Sequence, residues 1–411
     1  MRSFVALTFV LGWLAFTSAS AYSEDWPQWR GLNRDGKSPE IGLLTSWPTE
    51  GPGLLWRAEG VGEGHASMAV AKGRIFTTGM IEASGEGVMS ALDLSGAILW
   101  QTQYGPEWKG MYPGARSCPT VDGGRAYILS GMGKLVCFDV KTGEIVWSEE
   151  VTKKFQGLDP RVGYAESLLI DGDKVVCTPG GPDACLVALD KATGKTVWTT
   201  RGFSDQAAYC SPILLERGDQ RLIVTVTARH LAGIDVESGS LVWSAPFDTE
   251  AVDPNHSVSP VYEDGRIYIT SGHGKGGSMF ELAEDGKSVS PGWTDETLNC
   301  LHGGLVSLTG HVYGTSSNGR WVCLDLSNGQ VKYEERGVGM GSVIIAEGML
   351  YCYGEKGTFG LVKADPAGYE LISSFKVPAE KGPYWAHPVI SDGRLYVRHG
   401  NTIMAFDIKA H

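Results

Sequence analysis

Aligned on a recurring turn glycine, the chain places polar and ionisable residues just ahead of successive short apolar segments. They are His65, Arg116, Glu166, Tyr209 with Cys210, His256, His302, Met340, and Trp385 with His387. An arginine can clamp a carboxylate or phosphate through two parallel hydrogen bonds. Histidines ligate metals or move protons near neutral pH, and a glutamate can ligate a hard cation. Structural roles are also open to them: Arg116 could pair with Glu166 as a buried ion pair, and a histidine can satisfy neighbouring backbone. Four or five histidines, an arginine and a glutamate exceed what packing alone asks for. His65, Arg116, Glu166, Tyr209, His256, His302, Trp385 and His387 are therefore the candidate ligand-binding residues. No catalytic residue and no metal set stands out among them.

These residues need elements that bring distant parts of the chain together, and the sequence supplies them by repetition. Lys134 to Trp147, KLVCFDVKTGEIVW, alternates like a half-buried strand, turns at Asp139 to Gly143, and resumes as a strand ending on a tryptophan. Copies occur at Cys185 to Trp198 and His230 to Trp243, with weaker ones at Met89 to Trp100 and Trp321 to Tyr333. A second unit precedes each, as in CPTVDGGRAYILSG, SPVYEDGRIYITSG and HPVISDGRLYVRHG. Asp93, Asp139, Asp190, Asp235, Asp325, Asp365 and Asp407 mark a period of about 45 residues, with one double gap where a copy near Leu282 has decayed. Four short strands per period read as propeller blades. Turn glycines at 73, 123, 172, 218, 265, 310, 348 and 393 count eight of them. Leu54-Leu55-Trp56 has a final strand without its hairpin partner, and Thr402 to Lys409 has the partner without the final strand. Joining the two ends completes one blade and removes open sheet edges.

The expected architecture is therefore all-β, an eight-bladed propeller over residues 54–411 closed by its two terminal segments. Residues 22–53, with WPQWRG, NRDG and three tryptophans (Trp26, Trp29, Trp47), form an irregular strap that packs on the body. Residues 1–21 have a minimal basic start, an apolar run of about 13 residues and an Ala-Ser-Ala end, the pattern of an export signal cut after Ala21. That run is too short to span a bilayer, no cysteine marks a lipid anchor at the cut, and no later stretch could cross a membrane. A net charge of −12 without a Lys/Arg cluster excludes nucleic acid and anionic lipid as partners. Of the eight cysteines, Cys177 and Cys185 could face each other across a hairpin, and the others are expected as buried thiols.

The D-x-x-T-G-x-x-x-W hairpins resemble the pyrroloquinoline-quinone (PQQ) repeat family of eight-bladed propellers. The opening DWPQWRG…NRDG…GLLTSWP…LLWRAEG resembles exported PQQ-binding-like repeat proteins of planctomycete-type bacteria. That family contains quinone-dependent alcohol dehydrogenases and a non-catalytic scaffold lipoprotein of outer-membrane protein assembly. The resemblance thus implies either of two functions. One is an exported, monomeric binding or scaffold propeller that holds a protein partner or small-molecule ligand at the channel mouth. The other is a PQQ- or metal-dependent oxidoreductase acting on an alcohol-type substrate, with PQQ and calcium as cofactors. In the second case Arg116 would clamp the cofactor, Glu166 would ligate the cation and a histidine would take the hydroxyl proton. Those dehydrogenases carry a disulfide between adjacent cysteines, and this chain has no adjacent pair. The G-x-G-x-x-G at Gly272 to Gly277 joins two strands, so it has no helix N-terminus to receive a pyrophosphate. The connections Ile81 to Val88 and Gln156 to Gly163 are exposed candidates for partner contact.

Overall fold

The computed structural model describes residues 25–158, 160–250, 254–379 and 382–410. The expected leader, residues 1–21, lies outside them. Eight four-stranded antiparallel sheets follow one another around a ring. Seven are consecutive in sequence. The eighth takes Val389–Ser391, Arg394–His399 and Thr402–Asp407 from the C-terminal end and Gly53–Glu59 from the N-terminal side, in antiparallel register from Gly53 opposite Asp407 to Glu59 opposite Thr402.

The repeat motif acts between blades as well as within them. Each anchoring aspartate accepts backbone N–H bonds from its own turn, as Asp139 does from Lys141 and Thr142 at 2.9 and 3.1 Å. The glycine that follows adopts positive φ, 76° at Gly143, and the preceding blade's tryptophan lies over it. A Cβ at Gly143 would sit 2.6 Å from the Trp100 ring. The same ring donates its indole N–H to the Val140 carbonyl of the next blade at 3.2 Å. Trp56, Trp147, Trp198, Trp243 and Trp293 make the equivalent bond to Leu94, Lys191, Val236, Gly286 and Leu326. In the two junctions without a repeat tryptophan, Tyr333 takes the position in one, and in the other Ser373 stands there and accepts the Trp47 backbone N–H at 3.0 Å while the Trp47 ring packs on Phe375.

This stacking alters one expectation. Lys134–Asp139 is not half-buried, because Leu135 to Phe138 are all sealed. A middle strand has a neighbouring blade on each face, so both of its faces are apolar. Alternation survives only in outer strands such as Ile145–Glu150. The core is accordingly a ring of clusters between adjacent blades, not a single centre. All eight cysteines are buried free thiols, so Cys177 and Cys185 are not bridged.

Most close approaches between neighbouring blades are made by their first strands. They converge on the axis, and the residues just ahead of them surround it. The strap crosses the same axis. Trp26 is buried against the first blade through paired backbone bonds with Val70 at 2.8 Å, and Trp47 packs on Tyr351, Phe359 and Phe375. Between these anchors Arg30 and Arg34 enter the interior with positive φ, 58° and 60°, and are almost fully buried. Among the described residues no helix is long and apolar enough to cross a membrane.

Candidate functional site

On one side of the strap the axis opens into a chamber of about 590 Å³. Six of the eight candidate residues line it: His65, Arg116, Tyr209, His302, Trp385 and His387. Trp385 is the hub of an aromatic cage, with ring centroids of His65, Tyr112 and His302 at 4.8, 4.9 and 5.0 Å. Trp29 closes the floor, 4.4 Å from the His387 ring, and donates its indole N–H to Ser259 Oγ at 3.1 Å.

The other two candidates lie elsewhere. Glu166 is buried beside the chamber wall and accepts bonds from the Thr178 N–H at 2.8 Å and hydroxyl at 3.2 Å. Burial pushes its carboxyl up to about 8, against the pull of those bonds and of Arg34. His256 is sealed under Phe247, 5.1 Å between rings, with Nε2 3.1 Å from the Ala228 carbonyl. The Arg116–Glu166 ion pair does not form. The acid that acts on Arg116 is Glu107, and the cation that acts on Glu166 is Arg34.

The chamber's titratable groups are poised in one direction. Burial, reinforced by the Arg116 charge, lowers His65 to about 3, and burial alone lowers His302 to about 4. His387 falls well below the usual range through burial and the adjacent Arg30 guanidinium. Its tautomer follows from its partners. Nε2 is 3.2 Å from the His302 carbonyl and must donate, which leaves Nδ1 to accept from Arg30 Nη1 at 3.2 Å. Three histidines are thus neutral at physiological pH. Glu355 is the chamber's single carboxylate among the described residues, and it accepts the Trp385 indole N–H at 3.4 Å.

Arg116 is different. One terminal nitrogen, Nη2, donates to the carbonyls of Met111 and Tyr112, whereas Nη1 is buried with no hydrogen-bond partner among the described residues. His302 Nε2 is likewise unpartnered. Backbone strain gathers here as well, since the lining residues Tyr112, Tyr209 and His273 all have positive φ (56°, 73° and 60°). Such conformations are costly in bulky residues and concentrate at ligand sites.

Several lining residues escape sequence reasoning. Trp29 reads as a packing anchor because it sits in the non-repeating strap. Met111 and Tyr112 belong to the connection from first to second blade, whose run of Gly, Pro and aromatic residues is their only signal. His273 lies in the Gly272–Gly277 turn, which joins the strands Arg266–Ser271 and Gly276–Leu282 as expected of a simple loop. Glu355 sits in a hairpin turn and carries no signal. The Gln156 to Gly163 connection supplies Arg161 and Val162 to the rim, while Ile81 to Val88 is a hairpin turn exposed at Glu82 to Ser84.

A PQQ–calcium pair would need several oxygen donors around one cation. The lining offers one carboxylate, Glu355, and one side-chain amide, Asn255; Glu166 is spent on Thr178, and no group of three His, Cys, Asp or Glu among the described residues is arranged to hold a metal. The donor set does not fit that group.

Eight closed blades, an axial chamber and a strap that floors it define a propeller of the PQQ-repeat class. A family model described as outer membrane protein assembly factor BamB matches residues 85–335, and the chain belongs to that family. Outer membrane protein assembly factor BamB of Yersinia pestis is 21% identical over 277 residues, covering 65% of this chain and 68% of the relative. Aligned stretches span from 16% to 68% of the length of the curated relatives. The crystal structure of BamB from Moraxella catarrhalis superposes with a TM-score of 0.64 at 19% identity, over 87% of this chain and 98% of that one. A europium-containing methanol dehydrogenase has the same TM-score, 0.64, at 12% identity, over 91% and 89%. Likenesses this remote establish the fold and do not choose between the two functions.

Proposed function

We propose that this chain is an exported, non-catalytic binding or scaffold propeller that holds a partner, protein or small ligand, at the chamber mouth. One observation carries the reading: the chamber presents aromatic walls, neutral histidines and an arginine with one terminal nitrogen unbonded, but no oxygen cluster for a cation and no activated nucleophile. That is equipment for recognition. The name shared by its family relatives, outer membrane protein assembly factor, supports a binding role and a location beyond the inner membrane. In this reading residues 1–21 are removed on export, residues 22–53 form the strap, and the propeller of residues 54–411 acts as a monomer. A quinone-dependent dehydrogenase is the alternative, supported by the shared fold and by partial sequence matches to quinone-dependent alcohol dehydrogenases, 32% and 26% identical over 27% and 36% of this chain.

The test is a titration of the purified protein with PQQ, with and without Ca²⁺, read by intrinsic tryptophan fluorescence. Trp29 and Trp385 in the chamber would report binding. Absence of Ca²⁺-dependent quenching and of alcohol-dependent dye reduction is the expected result. Saturable, Ca²⁺-dependent quenching with turnover would replace this reading with the oxidoreductase.

A further inference from the structure

The chamber's polarity has a direction that a general binding role leaves unused. Arg116 brings a positive charge into an aromatic cavity of a protein whose net charge is −12. Its Nη1 is buried yet unbonded, and the nearby His302 Nε2 is buried yet unbonded. A buried donor without an acceptor is costly, so the missing partner is an acceptor group, and the charge selects an anion. The guanidinium fork matches a carboxylate in size and geometry.

What the carboxylate is attached to follows from the walls and the rim. Tyr112 and Trp385 pack edge to face on each other, 4.9 Å apart at 69°, and form one aromatic wall against which an apolar or aromatic side chain can lie. Outside the cage the apolar surface continues. Met111 and Tyr112 are about half exposed, at 51% and 50%, and Met132 is 41% exposed. Trp108 joins these segments. Its indole N–H donates to the Met111 carbonyl at 3.0 Å, and its side chain packs against Gly131, the neighbour of Met132. Unbranched methionines adapt to varied apolar partners. A small molecule held in the cage would leave this strip in water. An extended chain entering from the rim would cover it.

We propose that the chamber captures the carboxyl terminus of an extended polypeptide. Arg116 holds the terminal carboxylate, the last side chain lies against the Tyr112–Trp385 wall, and the Met111–Met132 rim takes residues upstream. A terminus suits the site better than an internal acid because the strap and Trp29 floor the chamber, so a chain that enters has no second exit. This assignment rests on the binding-propeller reading and gives it a ligand class.

Acetylated heptapeptides ending in Leu-Phe are titrated into the purified protein by calorimetry, as free acids and as C-terminal amides, with N-acetylphenylalanine as the small-molecule probe. The free acid should bind roughly tenfold or more tightly than the amide, the scale of a charge-assisted fork. Arg116→Gln should erase that difference with an unchanged thermal melt, and Arg116→Lys should retain part of it. Met132→Ser should weaken the heptapeptide and leave N-acetylphenylalanine unaffected. Equal affinity of acid and amide, or no binding of either at millimolar concentration, overturns the proposal. N-acetylphenylalanine binding as tightly as the heptapeptide overturns the polypeptide assignment in favour of a free aromatic acid. Ca²⁺-dependent PQQ binding in the same cell would overturn the underlying scaffold reading, so the two failures are distinguishable.

Discussion

Two arginines near the propeller axis face opposite tasks. Arg34, from the strap, is buried with every nitrogen committed. It donates to the carbonyls of Pro212, Leu168 and Ser167 at 2.6, 3.0 and 2.7 Å, and to Gln28 Oε1 at 3.0 Å. Arg30 commits both terminal nitrogens, to carbonyls of Val343, Leu305 and Asp35 and to His387. Arg116, on the chamber side, has half of its fork unbonded. Burial lowers the pKa of all three, to about 10 for Arg30 and Arg34. Desolvation therefore does not tell them apart, whereas saturation does. A cation whose donors all meet backbone carbonyls of separate blades is a tie. Arg116, which keeps a buried donor unused and lines the chamber, is the one proposed to receive a ligand.

Breaking the tie should have the largest effect. Arg34→Ala strands the carbonyls of two blades and frees the strap, and is expected to cost about 3–5 kcal/mol, read as a fall in the urea midpoint. The blade junctions come next. Trp198→Phe keeps the ring over Gly239 but loses the indole bond to Val236, and should cost about 1–2 kcal/mol.

Titration sharpens the contrast between the two regions. Beside Arg34, Glu166 has its folded pKa raised to about 8, above the unfolded carboxylate range. The folded state therefore binds the extra proton, and stability falls as pH rises from about 4.5 to 8. The chamber histidines run the opposite way. Their folded pKa values are lowered, to about 3 and 4 for His65 and His302, so the unfolded chain binds the proton first. Their contribution is present above about pH 6.5 and is lost as pH falls toward 4. Thermal melts should show a maximum between the two limbs. Glu166→Gln should flatten the alkaline limb, and His302→Gln should reduce the acid one. Arg116→Gln stands last, with a stability change under about 1 kcal/mol.

The fold was legible because the same hairpin signature recurs along the chain, with its tryptophan kept at six of the eight junctions. The aspartate turn, its glycine, the terminal tryptophan and the split final blade are all visible as spacing in one chain, whereas the packing of each tryptophan over the next blade's glycine is not. Burial on both faces of the middle strands was not, since alternation in Lys134–Asp139 only makes sense once a neighbouring blade covers each side. The site was legible in part for a related reason. Residues in register with the repeat, such as Arg116, His302 and His387, could be aligned to the axis. Register alone also selected Glu166 and His256, because it fixes a position along the strand and not the direction in which a side chain leaves it. Trp29, Arg30 and Arg34 lie outside the repeat altogether, and only their packing across the axis reveals that the strap forms the chamber floor.

The most direct measurement is a paired urea unfolding of Arg34→Gln and Arg116→Gln, monitored by tryptophan fluorescence. Arg34→Gln should lower stability by about 3 kcal/mol, with Arg116→Gln close to wild type. If Arg116→Gln proved the more damaging, or the two fell together, Arg116 would be a structural tie like Arg34 and the chamber would lose its claim to be a binding site.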